Sequence, residues 1–330
     1  MLRLSIIIPF FGELSLFEST LASVLQNRPG GCQILVAHRG DYQDPWNLGD
    51  EVEFLTQRSD ATLLDLVNAG LHEARAEVFH VLLAGTEVNE GWTIPVLSHF
   101  AYPRVGAVAP LLTSSADSQQ VLARGLRVNR HFDRVIVDQQ SPLDARNPLR
   151  ATTNDLVHGP ILSAAFYRTD ALLDIGGFDP QLGPDFSDAD VATTLKTIGY
   201  RCVHEPACRL QLPRLSTTTW STTTARQAER LFWRHTDQLE MAARMGRALS
   251  TLMRTFTQSD ATGGYRSLLG RLTAATEQTR YQQFRDSIAL LRQKTQQELR
   301  KLDPHDTLST DDREATRSAS SSRTGDRRAA

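Results

Sequence analysis

The sequence predicts an α/β protein, a mostly parallel sheet flanked by helices, with a helical C-terminal extension. Three observations carry this. Continuous apolar runs at Leu4 to Pro9, Gln33 to Ala37 and Val78 to Leu83 read as buried strands. Amphipathic stripes at Leu14 to Gln26 and Thr62 to Ala76 separate them, an alternation that calls for right-handed crossovers. Beyond Thr224, apolar residues recur every three or four positions without strand-like runs.

In the first helix Leu14, Phe17, Leu21, Val24 and Leu25 share a face, and Pro29-Gly30-Gly31 ends it. Val52 to Leu55 is a further short strand. In the second helix Leu63, Leu66, Val67, Gly70, Leu71 and Ala74 line one side. Gly106 to Leu112 reads as a strand, and Val121 to Val128 with Val135 to Asp138 as an antiparallel pair crossing a polar insert. Residues 138–156 read as loop. Ile161 to Tyr167 is apolar enough for a buried strand, and Thr169-Asp170 starts a short helix. Gly176-Gly177 breaks that helix in a turn needing positive φ. Val191 to Ile198 is a helix stopped by Gly199. Ser216 to Thr224 is polar and ends in good helix caps. Ala225 to Phe256 then reads as one long helix and Leu268 to Leu302 as a second, with Gly263-Gly264 between them. Their apolar stripes suggest a hairpin that folds on the first domain or pairs between subunits as a homo-oligomer. The expected plan is a domain over 1–212, a linker over 213–224, the hairpin over 225–303 and a disordered tail over 304–330.

Composition bounds the function. With 40% hydrophobic residues in 330, the chain can fill a core. A net charge of −2 argues against a dedicated nucleic-acid binder. Cys32, Cys202 and Cys208 lack metal-ligand spacing and read as buried thiols in a reducing compartment. Pro9 and Gly12 interrupt the N-terminal apolar run, which is a strand rather than a signal peptide. No apolar run has the length of a membrane span. These point to a cytoplasmic protein. The arginines of the extension, Arg226, Arg230 and Arg234 among them, leave peripheral contact with the inner membrane open.

In such sheets ligands bind off the carboxyl ends of the strands. Those ends are Pro9-Phe10-Phe11-Gly12-Glu13, Ala37-His38-Arg39-Gly40-Asp41 and Ala84-Gly85-Thr86-Glu87. The other candidate is the acidic run Asp185, Asp188, Asp190 ahead of the last helix of the domain. Three carboxylates at a loop-to-helix junction can cap the helix, hold a metal or take a proton, and the residues alone do not choose.

Further motifs lie along residues 3–210: Asn68-Ala69-Gly70 with Ala74, Trp92, Gly159, Arg168, Gly176-Gly177-Phe178-Asp179, Ser187-Asp188-Ala189-Asp190 and Gly199-Tyr200. With the strand ends, their order and spacing resemble the family 2 glycosyltransferases. The resemblance implies a GT-A, Rossmann-like fold and transfer of a sugar from a nucleoside diphosphate sugar to a glycan or other hydroxyl acceptor. Asp188 stands where inverting members deprotonate the acceptor, and Asp190 orients the loop or shares the capping. The resemblance places Pro9, Phe10, Phe11, Glu13, His38, Gly40, Asn68, Gly85 and Thr86 on the nucleotide sugar. It places Trp92, His158, Gly159, Gly177, Phe178 and Asp179 on the acceptor side.

Four departures accompany these matches. His38 replaces the aspartate that contacts the base, and Gly85 the aspartate that holds a divalent metal (Mn or Mg), leaving Glu87 as the nearest acid. Ser187 replaces a glutamate. A histidine expected near Arg209 to Leu212 is absent, so Gln211 or His204 would have to serve. The rival expectation is a catalytically inactive relative that binds a glycan, nucleotide or partner protein. A nucleotidyltransferase is disfavoured, because no lysine-containing phosphate loop follows the first strand.

Overall fold

Ile6, Ile7 and Ile8 have no accessible surface, because their strand sits mid-sheet with helices on both faces. The computed structural model describes residues 3–129, 132–139, 141–142, 157–215, 221–236, 273–274 and 276–302. The first half alternates as expected: β1 (Leu4–Pro9), α1 (Leu14–Gln26), β2 (Cys32–His38), β3 (Glu53–Thr56), α2 (Leu63–Glu73) and β4 (Val78–Leu82). The period of two along β1 sends Ile6 and Ile8 to the core under α1, with Phe17, Leu21 and Val24. Ile7 faces the other core, with Leu64, Val67 and Leu71 of α2. Gly70 allows that approach: a Cβ there would lie 2.4 Å from Ile7 Cδ1.

The second half is α3 (Ile94–His99), β5 (Val105–Ser114), β6 (Gln120–Ala123), β7 (Leu126–Val128), β8 (Arg134–Ile136), β9 (Ser141–Pro142), β10 (Ala164–Arg168), α4 (Thr169–Asp174), α5 (Pro184–Ile198) and β11 (Arg201–Leu212). The sheet runs β3-β2-β1-β4-β10-β5-β6-β9, and β11 pairs with β5. β1 to β4 are parallel, whereas β10 is antiparallel to both β4 and β5. β11 runs parallel along β5, with an irregularity between Glu205 and Arg209.

Three expectations need correction. Val121 to Val128 is not one strand: Gly125 takes φ +130 and divides it into β6, in the main sheet, and β7, which pairs with β8 in a separate ribbon. The acidic run does not precede a helix, because α5 starts at Pro184, a residue pre-set for the first helical position. The third concerns the extension. Ser221 caps α6 (Thr222–His235) through the Thr224 N–H, and the helix stops there because Thr236 turns extended. The sequence stripe from 237 to 256 lies outside the described residues, as do Leu268 and the tail 304–330. Of the expected loop 138–156, Ser141–Pro142 is a strand on β6 and 143–156 lies outside them.

α6 and α7 (Gln278–Leu302) pack on each other and on α5, so the extension folds on the first domain. Among the described residues no helix is long and apolar enough to cross a membrane.

Candidate functional site

At the ends of β1 and β2 an aromatic cluster fills the space beside the sheet. Phe10 packs on Phe17 and Tyr42, with ring centroids 5.0 and 5.4 Å away, and Tyr42 stacks on Phe54 at 5.9 Å. His38 is buried beside them. Its Nδ1 accepts the Gly40 N–H at 3.1 Å, which leaves the proton on Nε2 to reach Thr56 Oγ1 at 3.2 Å. Burial lowers the His38 pKa, although Asp41 opposes this, so the ring is neutral at pH 7. Phe11 stays 41% exposed, with the Arg39 guanidinium 4.8 Å from its ring centre. Glu13 is exposed and accepts the Ser15 hydroxyl.

The end of β4 is shaped by Gly85, whose φ of +89 a side-chain-bearing residue rarely adopts. Its N–H is shared between Leu16 O at 3.1 Å and Thr20 Oγ1 at 2.9 Å. Thr86 is buried, its hydroxyl 3.4 Å from Ser163 O. Glu87 is fixed by a two-way backbone bridge to Gln211 while its side chain is exposed. No group of three His, Cys, Asp or Glu residues able to hold a metal occurs among the described residues. The donor set at the end of β4 therefore does not fit a divalent cation: one exposed carboxylate stands beside a glycine. The stand-in histidine does not reach this place either. His204 is buried in β11, its Nδ1 3.0 Å from Ala109 O, and burial brings its pKa down to about 4.

Asp188 lies inside α5 with no exposure. Arg134 of β8 grips it with Nε 2.8 Å from Oδ1 and Nη2 2.7 Å from Oδ2, and the Leu162 N–H reaches Oδ2 at 3.2 Å. The next residue, Ser163, accepts the Leu83 N–H and the Thr86 hydroxyl through its carbonyl. One loop thus joins Asp188 to the end of β4. Burial alone would lower the Arg134 pKa, but the Asp188 carboxylate outweighs it and the net direction is up. Among the described residues the buried Tyr167 hydroxyl, near this pair, and the buried Ser187 hydroxyl of α5 have no hydrogen-bond partner.

The neighbouring acids are taken up by the extension. Asp190 is paired with Arg234 Nε at 2.8 Å and His235 Nε2 at 2.7 Å. Burial by itself would raise its pKa, but Arg234 and His235 prevail and hold it below the usual carboxylate range. Asp179 accepts from Arg234 at 2.9 Å and Arg280 at 2.7 Å. Neither Asp188 nor Asp190 caps a helix. The sequence did not reveal these cationic partners: Arg134 stands in no motif, and the helix arginines read as a face for peripheral membrane contact.

The remaining expected positions make the following contacts. Asn68 holds the glycine turn, donating to Phe178 O at 2.7 Å and accepting the Phe178 N–H at 2.9 Å. Gly177 has φ +72, and Phe178 is core. Trp92, expected on the acceptor side, is 3% exposed and packs on His80 and Phe166. His158 accepts the Val128 N–H at 3.1 Å, and burial lowers its pKa. Gly159 bridges to Leu126 against α5, where a Cβ would lie 2.5 Å from Ala192 Cβ.

No family model matches the chain, and no curated protein matches it significantly. Solved structures do share its fold. GalNAc-T7, crystallised with UDP, GalNAc and Mn2+, superposes with a TM-score of 0.52 and 17% identity over 70% of this chain and 47% of that one. The mannosyltransferase PcManGT from Pyrobaculum calidifontis, in complex with GDP-Man and Mn2+, gives 0.50 and 16% over 88% and 84%. TarS from S. aureus gives 0.52 and 12% over 79% and 45%. The chain spans about half the length of the first and third of these. At such identities the likeness concerns the fold: a mixed α/β, mostly parallel sheet flanked by helices, the GT-A architecture of these glycosyltransferases.

Proposed function

We propose that the protein transfers a sugar from a nucleoside diphosphate sugar to an acceptor hydroxyl, with inversion and with Asp188 as general base. The observation that carries this is the loop 161–163, which ties the Asp188 carboxylate to the end of β4 through Leu162 N–H and Ser163 O. In-line displacement needs a base and a leaving group on opposite sides of one carbon, held in place together. The family 2 motif pattern supports the assignment of Asp188, and the shared fold supports sugar transfer in general terms. Phe11 with Arg39 at the ends of β1 and β2 offers an exposed ring and a cation for a nucleotide. A glycan is the acceptor class the resemblance favours, and a cytoplasmic or membrane-peripheral setting suits such a donor.

One observation favours a second reading. Both oxygens of Asp188 already accept from Arg134, and Oδ2 also from the Leu162 N–H, a state that suits a protein that binds a sugar nucleotide, glycan or partner without turnover. Calorimetric titration with a panel of nucleoside diphosphate sugars, with and without manganese, tests what both readings share on the donor side. Binding of at least one donor is expected. If none binds, the transferase reading fails.

A further inference from the structure

Arg134 is a largely but not fully buried cation brought to the candidate base by the β7–β8 ribbon, outside every motif. Its planar fork matches any anion with two oxygens at carboxylate spacing, a diphosphate included. Asp188 is the anion it holds in this structure, at 2.8 and 2.7 Å. The end of β4, where a glycine stands and where the described residues offer no divalent-ion ligand set, is one loop away through Leu162 and Ser163. The hydroxyl of Tyr167, buried close enough to both charges to interact with them and without a hydrogen-bond partner among the described residues, is a polar group this arrangement does not satisfy.

From this juxtaposition we infer that Arg134 is the leaving-group cation of the transfer, exchanging Asp188 for the donor's diphosphate. The inference rests on the sugar-transfer reading and deepens it. Arrival of the diphosphate draws the guanidinium away and leaves the Asp188 carboxylate without its counter-ion, its oxygens open to accept the acceptor's proton. The acceptor's O–H proton passes to Asp188 as the acceptor oxygen bonds to the sugar's anomeric carbon. The bond from that carbon to the phosphate oxygen breaks, and its electron pair leaves with the nucleoside diphosphate, whose charge Arg134 holds. One side chain then couples donor binding to base activation, and the positive charge comes from the chain itself.

The test is calorimetric titration of the full chain with inorganic pyrophosphate and with UDP and GDP, all in EDTA, for wild type, Arg134→Lys, Arg134→Ala and Asp188→Asn. Circular dichroism confirms that each variant is folded. Wild type is expected to bind pyrophosphate and at least one nucleotide in EDTA. Arg134→Ala should weaken both by about tenfold or more, and Arg134→Lys by less. Asp188→Asn should tighten them severalfold, because it releases the guanidinium; a purely scaffolding pair would not produce this gain. Unchanged binding in Arg134→Ala, no gain in Asp188→Asn, or binding that appears only with manganese overturns the inference while leaving sugar transfer standing. Failure of wild type to bind any of these probes or any nucleoside diphosphate sugar overturns both.

Discussion

Both arms of Arg134 close on Asp188, joining the β7–β8 ribbon to α5 with the carboxylate fully out of water and the guanidinium nearly so. Removing one partner of such a pair strands the other charge, whereas replacing both with apolar groups can be neutral. Asp188→Ala should therefore cost about 3–5 kcal/mol of unfolding free energy. The double variant Arg134→Met, Asp188→Leu should recover most of it. Urea denaturation checks this, and a loss in Asp188→Ala of the size seen for exposed bridges would refute the buried pair.

Acid should loosen the extension before the sheet. Burial by itself would raise the Glu277 pKa, but Arg230 and Arg226 outweigh it and hold the carboxyl down to about 2, against an ordinary 4.5. Asp190 is shifted in the same direction by Arg234 and His235. Acids depressed in the folded state contribute stability that is complete above their ordinary range. That contribution is lost as pH falls from about 4.5 towards about 2. Hydrogen exchange of α6 and α7 between pH 7 and pH 3 should show their protection falling first. In Glu277→Gln and Asp190→Asn the pH dependence should flatten.

Gly177→Ala should destabilise the domain by about 2 kcal/mol or more, since φ +72 already strains a side-chain-bearing residue and a Cβ would lie 2.6 Å from Asn68 Oδ1. Gly176→Ala meets the same strain at φ +84 but no contact within 4 Å, so its cost should be smaller. Thermal denaturation of the two variants separates strain from collision. Equal losses would assign the whole effect to backbone strain.

Manganese and magnesium should leave the melting temperature unchanged, and Glu87→Gln should behave as wild type in their presence. The basis is the exposed, singly placed Glu87 carboxylate beside a glycine of positive φ. A metal-dependent rise in melting temperature that Glu87→Gln removes would restore a cation site at the end of β4.

The fold was legible because its signals are local. Continuous β-branched runs, two amphipathic helices and the Gly-Gly turn each mark their element from a few residues. The start of α5 was not, because Pro184 reads as loop until Gly183 is seen to take φ +64 and place it at the first helical position. Gly125 likewise hid the division between β6 and β7. The candidate base was marked by its motif, but its state was not. Arg134 precedes Asp188 by 54 residues and Arg234 follows Asp190 by 44, separations at which sequence pattern carries no pairing information. The helix arginines read as a face open to membrane contact, because charge spacing alone cannot show that they pair with Asp179, Asp190 and Glu277. Trp92 and Asn68 matched motif positions, yet one fills the core and the other holds a turn.

Turnover of a nucleoside diphosphate sugar with a hydroxyl acceptor, followed by release of the nucleoside diphosphate in EDTA, tests the central claim most directly. The account predicts transfer by wild type with inversion at the anomeric carbon, and a fall of about 10²–10⁴-fold in Asp188→Asn. Absence of transfer with every donor, or transfer that persists at the wild-type rate in Asp188→Asn, would contradict it.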